Sequence, residues 1–195
     1  MNEFKSQVKE KIKLYSNDEY LKGYISKEYL TSDKDADIFL YVNDEIPVFD
    51  SRTSGNQIDL NKEIYEYIED KASILENDVR IHFHIMNSNL DDKEQGKVKH
   101  IIKEHYAIEL YKVQRDFSNA RKKAIHLSIF GLFVLLIYFI LYNYDLSEFL
   151  FEVLSFIFSF SIWEALDAVI YTLSDISLNR ESITQFLLMN VSFDE

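Results

Sequence analysis

Two histidines separated by one residue are the side chains of this chain best suited to chemistry. His82 and His84 alternate with the apolar residues Ile81, Phe83 and Ile85, so a β-strand would place both imidazoles on one face. A His-x-His pair can supply two ligands to one zinc ion. Because no neighbouring residue completes the set of ligands, we favour a polar strand face over a metal site and predict no bound cofactor.

A pair of carboxylates lies at the end of the second apolar segment. Glu164 and Asp167 stand three residues apart, so they share one face of a helix. Such a pair could hold a divalent cation or act in acid–base chemistry, but two carboxylates are fewer ligands than a metal site needs. We favour a solvated acidic face at the membrane surface, opposite the basic residues Arg121, Lys122 and Lys123.

One carboxylate, that of Glu152, lies inside the second apolar segment. A helical hairpin places Glu152 near the depth of Tyr138, and it places Gly131 opposite Ser155 or Ser159, where small residues permit close packing. An intramembrane carboxylate can line an ion path. The alternative that we favour is that Glu152 lies near the outer interface and reaches water, since it stands about one turn inside the apolar segment.

Two apolar segments dominate the second half of the chain. Residues 124–142 contain no Asp, Glu, Lys or Arg, and residues 147–166 form a second apolar stretch after a short connection. Nineteen helical residues span about 28 Å at 1.5 Å per residue, close to the thickness of a bilayer core. The basic cluster 121–123 precedes the first segment, whereas the connection 143–148 has no basic residue. The positive-inside rule therefore predicts a membrane protein with both termini in the cytoplasm.

The rest of the chain predicts an α+β protein with a small α/β domain. Apolar residues recur every three or four positions over residues 60–75, as in a helix, and alternate over residues 79–86, as in a strand. This pattern predicts a sheet of three or four strands. A long continuous helix should join it to the membrane hairpin. The predicted segments are the cytoplasmic domain 1–90, a helical stalk 91–123, the transmembrane helices 124–142 and 147–166, and a cytoplasmic tail helix 167–195.

Composition excludes several classes of function. The net charge is −12, and residues 124–195 carry nine acidic residues against one basic residue, Arg180. Nucleic acid is an unfavourable partner, because phosphate binding needs a basic stripe and the one basic cluster adjoins the first apolar segment. The chain has no cysteine, so it has neither disulfides nor thiolate metal ligands.

Three short segments of the C-terminal part form a recognisable pattern, namely Trp163 to Asp167, Val169 to Tyr171, and Met189 to Val191. In these segments the chain resembles a family of small, uncharacterised bacterial proteins with two membrane spans. In that family the corresponding motifs usually have proline where Ala165 and Asn190 stand here. The resemblance implies a cytoplasmic N-terminal α/β domain, a two-span hairpin and a cytoplasmic tail helix, and it implies no catalytic residue.

Three functional hypotheses follow. The first is a non-enzymatic membrane sensor or adaptor that self-associates as a homo-oligomer and binds an unknown protein partner or ligand through its cytoplasmic domain. The second is an oligomeric membrane-perturbing or pore-forming effector, for example in stress or phage defence, with a path lined by Glu152 and nearby serines. The third is a metal-dependent enzyme using His82 and His84. We favour the first, with the lipid bilayer and a second copy of the chain as partners.

Overall fold

The computed structural model describes residues 7, 10, 11, 13, 30–32, 34–43, 47–55, 58–86, 89–142, 144 and 147–194. The elements are β1 (Leu30–Ser32), β2 (Asp35–Tyr41), α1 (Lys62–Ala72), β3 (Arg80–Met86), α2 (Asp92–Leu141), α3 (Glu148–Asp167), a π-helical turn (Ala168–Thr172), α4 (Leu173–Leu188) and β4 (Asn190–Asp194). The chain divides into two compact units, of which the sheet unit comprises residues 1–106 and 184–195 and the hairpin unit comprises residues 107–183.

A four-stranded mixed sheet forms the centre of the sheet unit. Its strand order is β1-β2-β3-β4, in which β1 runs antiparallel to β2 and the other two pairings are parallel. In the register, Phe39 of β2 lies beside His84 of β3, and His84 lies beside Ser192 of β4. Together with the helices α1 to α4, this sheet gives the α+β fold that the sequence predicts.

Side-chain hydrogen bonds fix the starts of the two helices of this unit. Asn61 accepts a hydrogen bond from the Glu63 backbone and caps α1. At the start of α2, the Asp91 carboxylate accepts from the Glu94 backbone N–H at 2.7 Å, and the Glu94 carboxylate accepts from the Asp91 N–H at 3.2 Å. This reciprocal pair is a capping box, which satisfies two donors that a helix start leaves unpaired.

One face of the sheet is apolar and buried, and the other is polar. The buried side chains alternate along β2 and β3, as expected for strands with a single covered face. They form the core with apolar residues of α1, of the first turns of α2 and of the C-terminal segment. The core residues are Ile38, Leu40, Ile64, Ile68, Ile81, Phe83, Ile85, Val98, Ile102, Tyr106, Phe186 and Val191.

The C-terminal end corrects the predicted domain division. We predicted a tail helix over 167–195, but α4 ends at Leu188, and Asn190–Asp194 forms β4 beside β3. The helix ends here because the spacing of apolar residues changes from the helical period of three or four to the alternation of a strand. Val191 is buried, whereas Asn190 and Asp194 are exposed. The predicted boundary at residue 90 also moves, because residues 92–106 of α2 belong to the sheet unit.

The hairpin unit contains two helices that are long and apolar enough to cross a membrane. Helix α2 runs without interruption to Leu141, and the second helical segment runs over residues 148–188 with a π-helical turn at Ala168–Thr172. Only 17% of the most apolar window of each helix is buried. Many large apolar side chains of this unit therefore face outward, including those of Phe133, Phe139, Phe156 and Trp163.

Candidate functional site

The polar face of the sheet carries a cluster centred on His84. The Nδ1 atom of His84 lies 2.9 Å from Oδ2 of Asp194, and its Nε2 atom lies 3.2 Å from Oδ1 of Asp37. The hydroxyl oxygen of Ser192 is also 2.8 Å from Nδ1. The imidazole therefore joins side chains from three adjacent strands, β2, β3 and β4.

Two further contacts hold this cluster in place. The Thr31 hydroxyl of β1 donates a 2.7 Å hydrogen bond to Oδ2 of Asp37, which leaves Oδ1 for His84. The ring of Phe39 stacks on the imidazole, with centroids 4.6 Å apart and planes 19° apart. An aromatic face next to an imidazolium ring is a favourable electrostatic contact.

Only a charged imidazole can donate to both carboxylates at once. A neutral histidine has one N–H donor, whereas a protonated histidine has two. Since both ring nitrogens of His84 lie at hydrogen-bond distance from a carboxylate, both must donate if Asp37 and Asp194 are ionised. In this protonation state, the cluster has one positive charge between two negative charges.

The surroundings shift the pKa values of His84 and Asp37 in the directions that favour their charged forms. Partial burial lowers the pKa of His84, but the hydrogen bonds to Asp194 and Asp37, together with their charges, outweigh burial and raise that pKa above its ordinary value. The pKa of Asp37 is lowered, chiefly by the hydrogen bond from Thr31 and also by the contact with His84.

His82 shares the face but not the partners of His84. Its Nε2 atom lies 3.6 Å from Oδ1 of Asp35, which also contacts Arg80 at 3.0 Å. Among the described residues, no group of three or more histidine, aspartate or glutamate side chains is placed to hold a metal ion. The zinc hypothesis for His82 and His84 therefore gains no support, because each ring contacts different carboxylates.

Sequence reasoning identified the two histidines but missed their partners. Asp37, Ser192 and Asp194 lie 47, 108 and 110 residues from His84 along the chain, so no local spacing relates them. The alternation of Asn190, Ser192 and Asp194 with Val191 and Phe193 was the one available signal, because it is typical of a strand with one polar face.

The hairpin residues that we singled out fall into two groups. The first group lies between the helices. A Cβ atom built on Gly131 would stand 3.1 Å from Cδ1 of Ile162 and 3.4 Å from Cβ of Ser161, and the Tyr138 ring meets the Phe151 ring edge to face at 5.3 Å. Gly131 therefore packs against Ser161 and Ile162, about one turn from the predicted partner Ser159.

The second group lies on the outside of the hairpin. Glu152, Ser155 and Ser159 are all exposed, so neither serine fills the position opposite Gly131 that we predicted. Their spacing of three and four residues places them along one outward stripe of α3. Ser161 takes the buried position instead, and its hydroxyl donates to the Ile157 carbonyl oxygen at 2.7 Å.

At the other end of the hairpin, one cross-helix ion pair forms. Nζ of Lys123 lies 3.4 Å from Oε2 of Glu164. Asp167, Arg121 and Lys122 are exposed. The carboxylate of Glu164 is thus engaged by an amino group from the basic cluster.

Comparison of the chain with protein-family models, curated proteins and solved structures finds no match.

Proposed function

We propose that this protein is a membrane-anchored, non-enzymatic sensor or adaptor. Its hairpin crosses a bilayer twice, and its sheet unit binds a protein partner or a ligand in the cytoplasm. Like the bacterial two-span family that the C-terminal part resembles, it belongs in the inner membrane.

The order of the strands is the main support for a hairpin that crosses the membrane twice. Strand β3 precedes the two apolar helices in the chain and β4 follows them, yet the two strands are hydrogen-bonded neighbours in one sheet. Paired strands must lie on the same side of any membrane. The chain between them must therefore cross the bilayer an even number of times, as a hairpin of two spans does.

The outward surface of the hairpin unit supports immersion in lipid. Buried helices of water-soluble proteins hide their apolar faces, whereas these helices expose theirs along their length. Exposed aromatic residues also mark both ends of the hairpin, with Tyr142 and Tyr144 at the turn and Trp163 and Tyr171 at the opposite end. Tyrosine and tryptophan are enriched where a span meets the lipid headgroups.

The charge distribution supports the orientation. Arg121, Lys122 and Lys123 are exposed within α2, immediately before its apolar segment 124–142, and the turn after that segment has no lysine or arginine. Since basic flanks stay in the cytoplasm, the turn faces outward and the sheet unit stays inside.

The polar face of the sheet supports a binding role. Phe39 and Tyr41 are 48% and 69% exposed on the face that also carries His84. Aromatic side chains exposed among polar groups are typical of protein interaction surfaces. A pull-down with the full-length protein and its Phe39→Ser/Tyr41→Ser variant tests this role. A specific partner should be lost from the variant and kept by the control Tyr111→Ser, whereas equal recovery from both would contradict the proposal.

The exposed stripe on α3 favours self-association and, as a second candidate, an oligomeric membrane-perturbing effector. A carboxylate facing lipid is costly, and hydrogen bonds from serines of another copy would lower that cost. A membrane-potential dye in expressing cells separates the two functions. Depolarisation that is abolished by Glu152→Ala, and not by the outward control Phe160→Ala, would support the effector, and an unchanged potential with full membrane insertion would exclude it.

A further inference from the structure

The cluster around His84 joins the C-terminal strand to the rest of the sheet. Strand β4 follows α4 directly, with only Met189 between Leu188 and Asn190. Beyond its backbone pairing with β3, β4 contacts the polar side chains of the sheet through Asp194 and Ser192, both of which meet the same ring nitrogen of His84.

These two contacts cannot both persist when the proton on Nδ1 is lost. With Nδ1 protonated, the ring donates to Asp194. With Nδ1 deprotonated, the nitrogen becomes an acceptor, which an ionised carboxylate cannot use but a hydroxyl can. Ser192, at 2.8 Å, is placed to donate to that nitrogen. One proton therefore decides whether His84 is hydrogen-bonded to Asp194 or to Ser192.

We propose that Asp37, His84, Ser192 and Asp194 form a proton-controlled clamp, which holds β4 against the sheet when His84 is charged and releases Asp194 when His84 is neutral. The ligand of this site is the proton. The role of the clamp as the input of a sensor rests on the proposed function, whereas the clamp itself concerns the sheet unit alone.

The direction of the pH effect follows from the charged groups around the ring. Asp37 of β2 and Asp194 of β4 both favour the imidazolium ion. Arg80 and His82 lie on the same face of β3, and both contact Oδ1 of Asp35, at 3.0 Å and 3.6 Å. A histidine whose pKa is raised by folding stabilises the fold fully below the unfolded-state pKa, and this stabilisation is lost as the pH rises through the folded-state pKa. Strand β4 is therefore held fully below the ordinary histidine pKa, and it loosens as the pH rises through the raised pKa of His84.

Hydrogen exchange of the full-length protein in detergent micelles, measured from pH 5.5 to 9, tests the clamp. After correction for the intrinsic exchange rate, the protection of amides 190–194 should fall as the pH rises. The fall should be about tenfold for each unit by which docking of β4 raises the His84 pKa. The control variant His82→Asn should show the same fall. Constant wild-type protection over this range would overturn the proposal.

Two variants with opposite expected effects sharpen the test, using NMR titration of the His84 ring. Asp194→Asn removes a carboxylate that stabilises the charged ring, so the His84 pKa should fall. Ser192→Ala removes the donor to the neutral ring, so the His84 pKa should rise. Shifts in the same direction, or no shift, would refute the clamp even if Asp194→Asn weakened the sheet. Because the titration needs no bilayer, its outcome is independent of whether the hairpin spans a membrane.

Discussion

Two tyrosines of the core differ in how their hydroxyl groups are satisfied. The Tyr65 hydroxyl donates a 2.8 Å hydrogen bond to Oδ1 of Asp59. The Tyr106 hydroxyl is buried and has no hydrogen-bond partner among the described residues. Burial raises the pKa of both phenols, and Asp59 raises that of Tyr65 further. The two side chains stand edge to face, with ring centroids 6.1 Å apart, so they share one environment.

Removing each hydroxyl should have a different effect on stability. Tyr106→Phe deletes a buried polar group that forms no bond, so the free energy of unfolding should stay constant or rise. Tyr65→Phe removes one of two donors to Oδ1 of Asp59, the other being the Leu60 backbone N–H, and should lower that free energy by about 1 kcal/mol. Chemical denaturation of both variants measures the difference. A greater loss from Tyr106→Phe would show that its hydroxyl has a partner.

The sequence predicted that β3 has a polar face with His82 and His84, but it did not predict the hydrogen-bonded cluster around His84. Alternation along residues 79–86 placed His82 and His84 together. The partners of His84 come from β2 and β4, and their positions depend on which strands are neighbours. Strand order depends on how the whole unit packs. The local spacing of residues therefore could not identify Asp37 or Asp194 as partners of His84.

At the scale of elements, a buried amide attaches α4 to the turn before β3. Nε2 of Gln185 donates to the carbonyl oxygens of Glu76 and Val79, at 3.0 Å and 2.7 Å. Both donors of one amide group are used, in a position that is 7% exposed. This contact precedes β4 by only a few residues and helps to fix where the C-terminal strand begins.

Loss of this amide should therefore loosen the C-terminal segment. Gln185→Leu keeps the side chain large but removes the amide donor from both carbonyl oxygens, of which that of Glu76 keeps the Val79 backbone N–H at 3.1 Å, at a cost of about 1–3 kcal/mol. The expected readout is a lower unfolding temperature with faster amide exchange over residues 184–194. Gln114→Leu, on the exposed surface of α2, is the control and should leave both measurements unchanged. If the two variants behaved alike, Gln185 would not anchor α4.

Two glycines of α2 differ in how much space surrounds them, so they can be compared by the same substitutions. Gly131 stands where an added Cβ would be 3.1 Å from Ile162, whereas a Cβ on Gly96 would have no atom within 4 Å. Glycine inside a helix costs roughly 0.5–1 kcal/mol relative to alanine, so Gly96→Ala should stabilise the protein by about that amount. At Gly131, by contrast, the nearby Ile162 side chain leaves little room for a Cβ atom, so glycine fits this contact despite that cost.

A larger side chain at Gly131 should separate the hairpin helices. Gly131→Leu should lower the thermal stability of the protein in detergent, while Gly96→Leu should not lower it. Adding Ile162→Ala to Gly131→Leu should restore part of the loss, because it makes room at the contact. Failure of this rescue, together with an unaffected Gly131→Leu protein, would contradict the close approach of α2 and α3.

The elements differ in how far they could be predicted. The two apolar segments predicted long helices because a continuous apolar segment of about twenty residues is too long for a strand. The end of the chain was harder, since Met189 to Phe193 continue an amphipathic segment and only the alternation of Asn190 to Asp194 reveals a strand. Such a short strand forms because β3 offers an unpaired edge, which the sequence of the strand itself does not show.

At the scale of the whole molecule, charge and apolar surface are distributed unevenly along the chain. Residues 1–123 carry 20 of the 21 lysines and arginines, and the hairpin that follows exposes mainly aromatic and aliphatic side chains. The parallel pairing of β3 with β4 joins the chain before the hairpin and the chain after it in one sheet. These features together are the basis for proposing two membrane crossings with both ends on the cytoplasmic side.

The chain has no cysteine, so single introduced cysteines can report this topology directly. The substitutions Tyr144→Cys, Lys99→Cys and Asn190→Cys are placed at the hairpin turn, in the sheet unit before the spans, and in β4 after them. A membrane-impermeant maleimide added to intact bacterial cells should label only the turn variant, and the other two should react only after the inner membrane is permeabilised. Labelling of Asn190→Cys in intact cells, or recovery of the protein in the soluble fraction, would contradict the account.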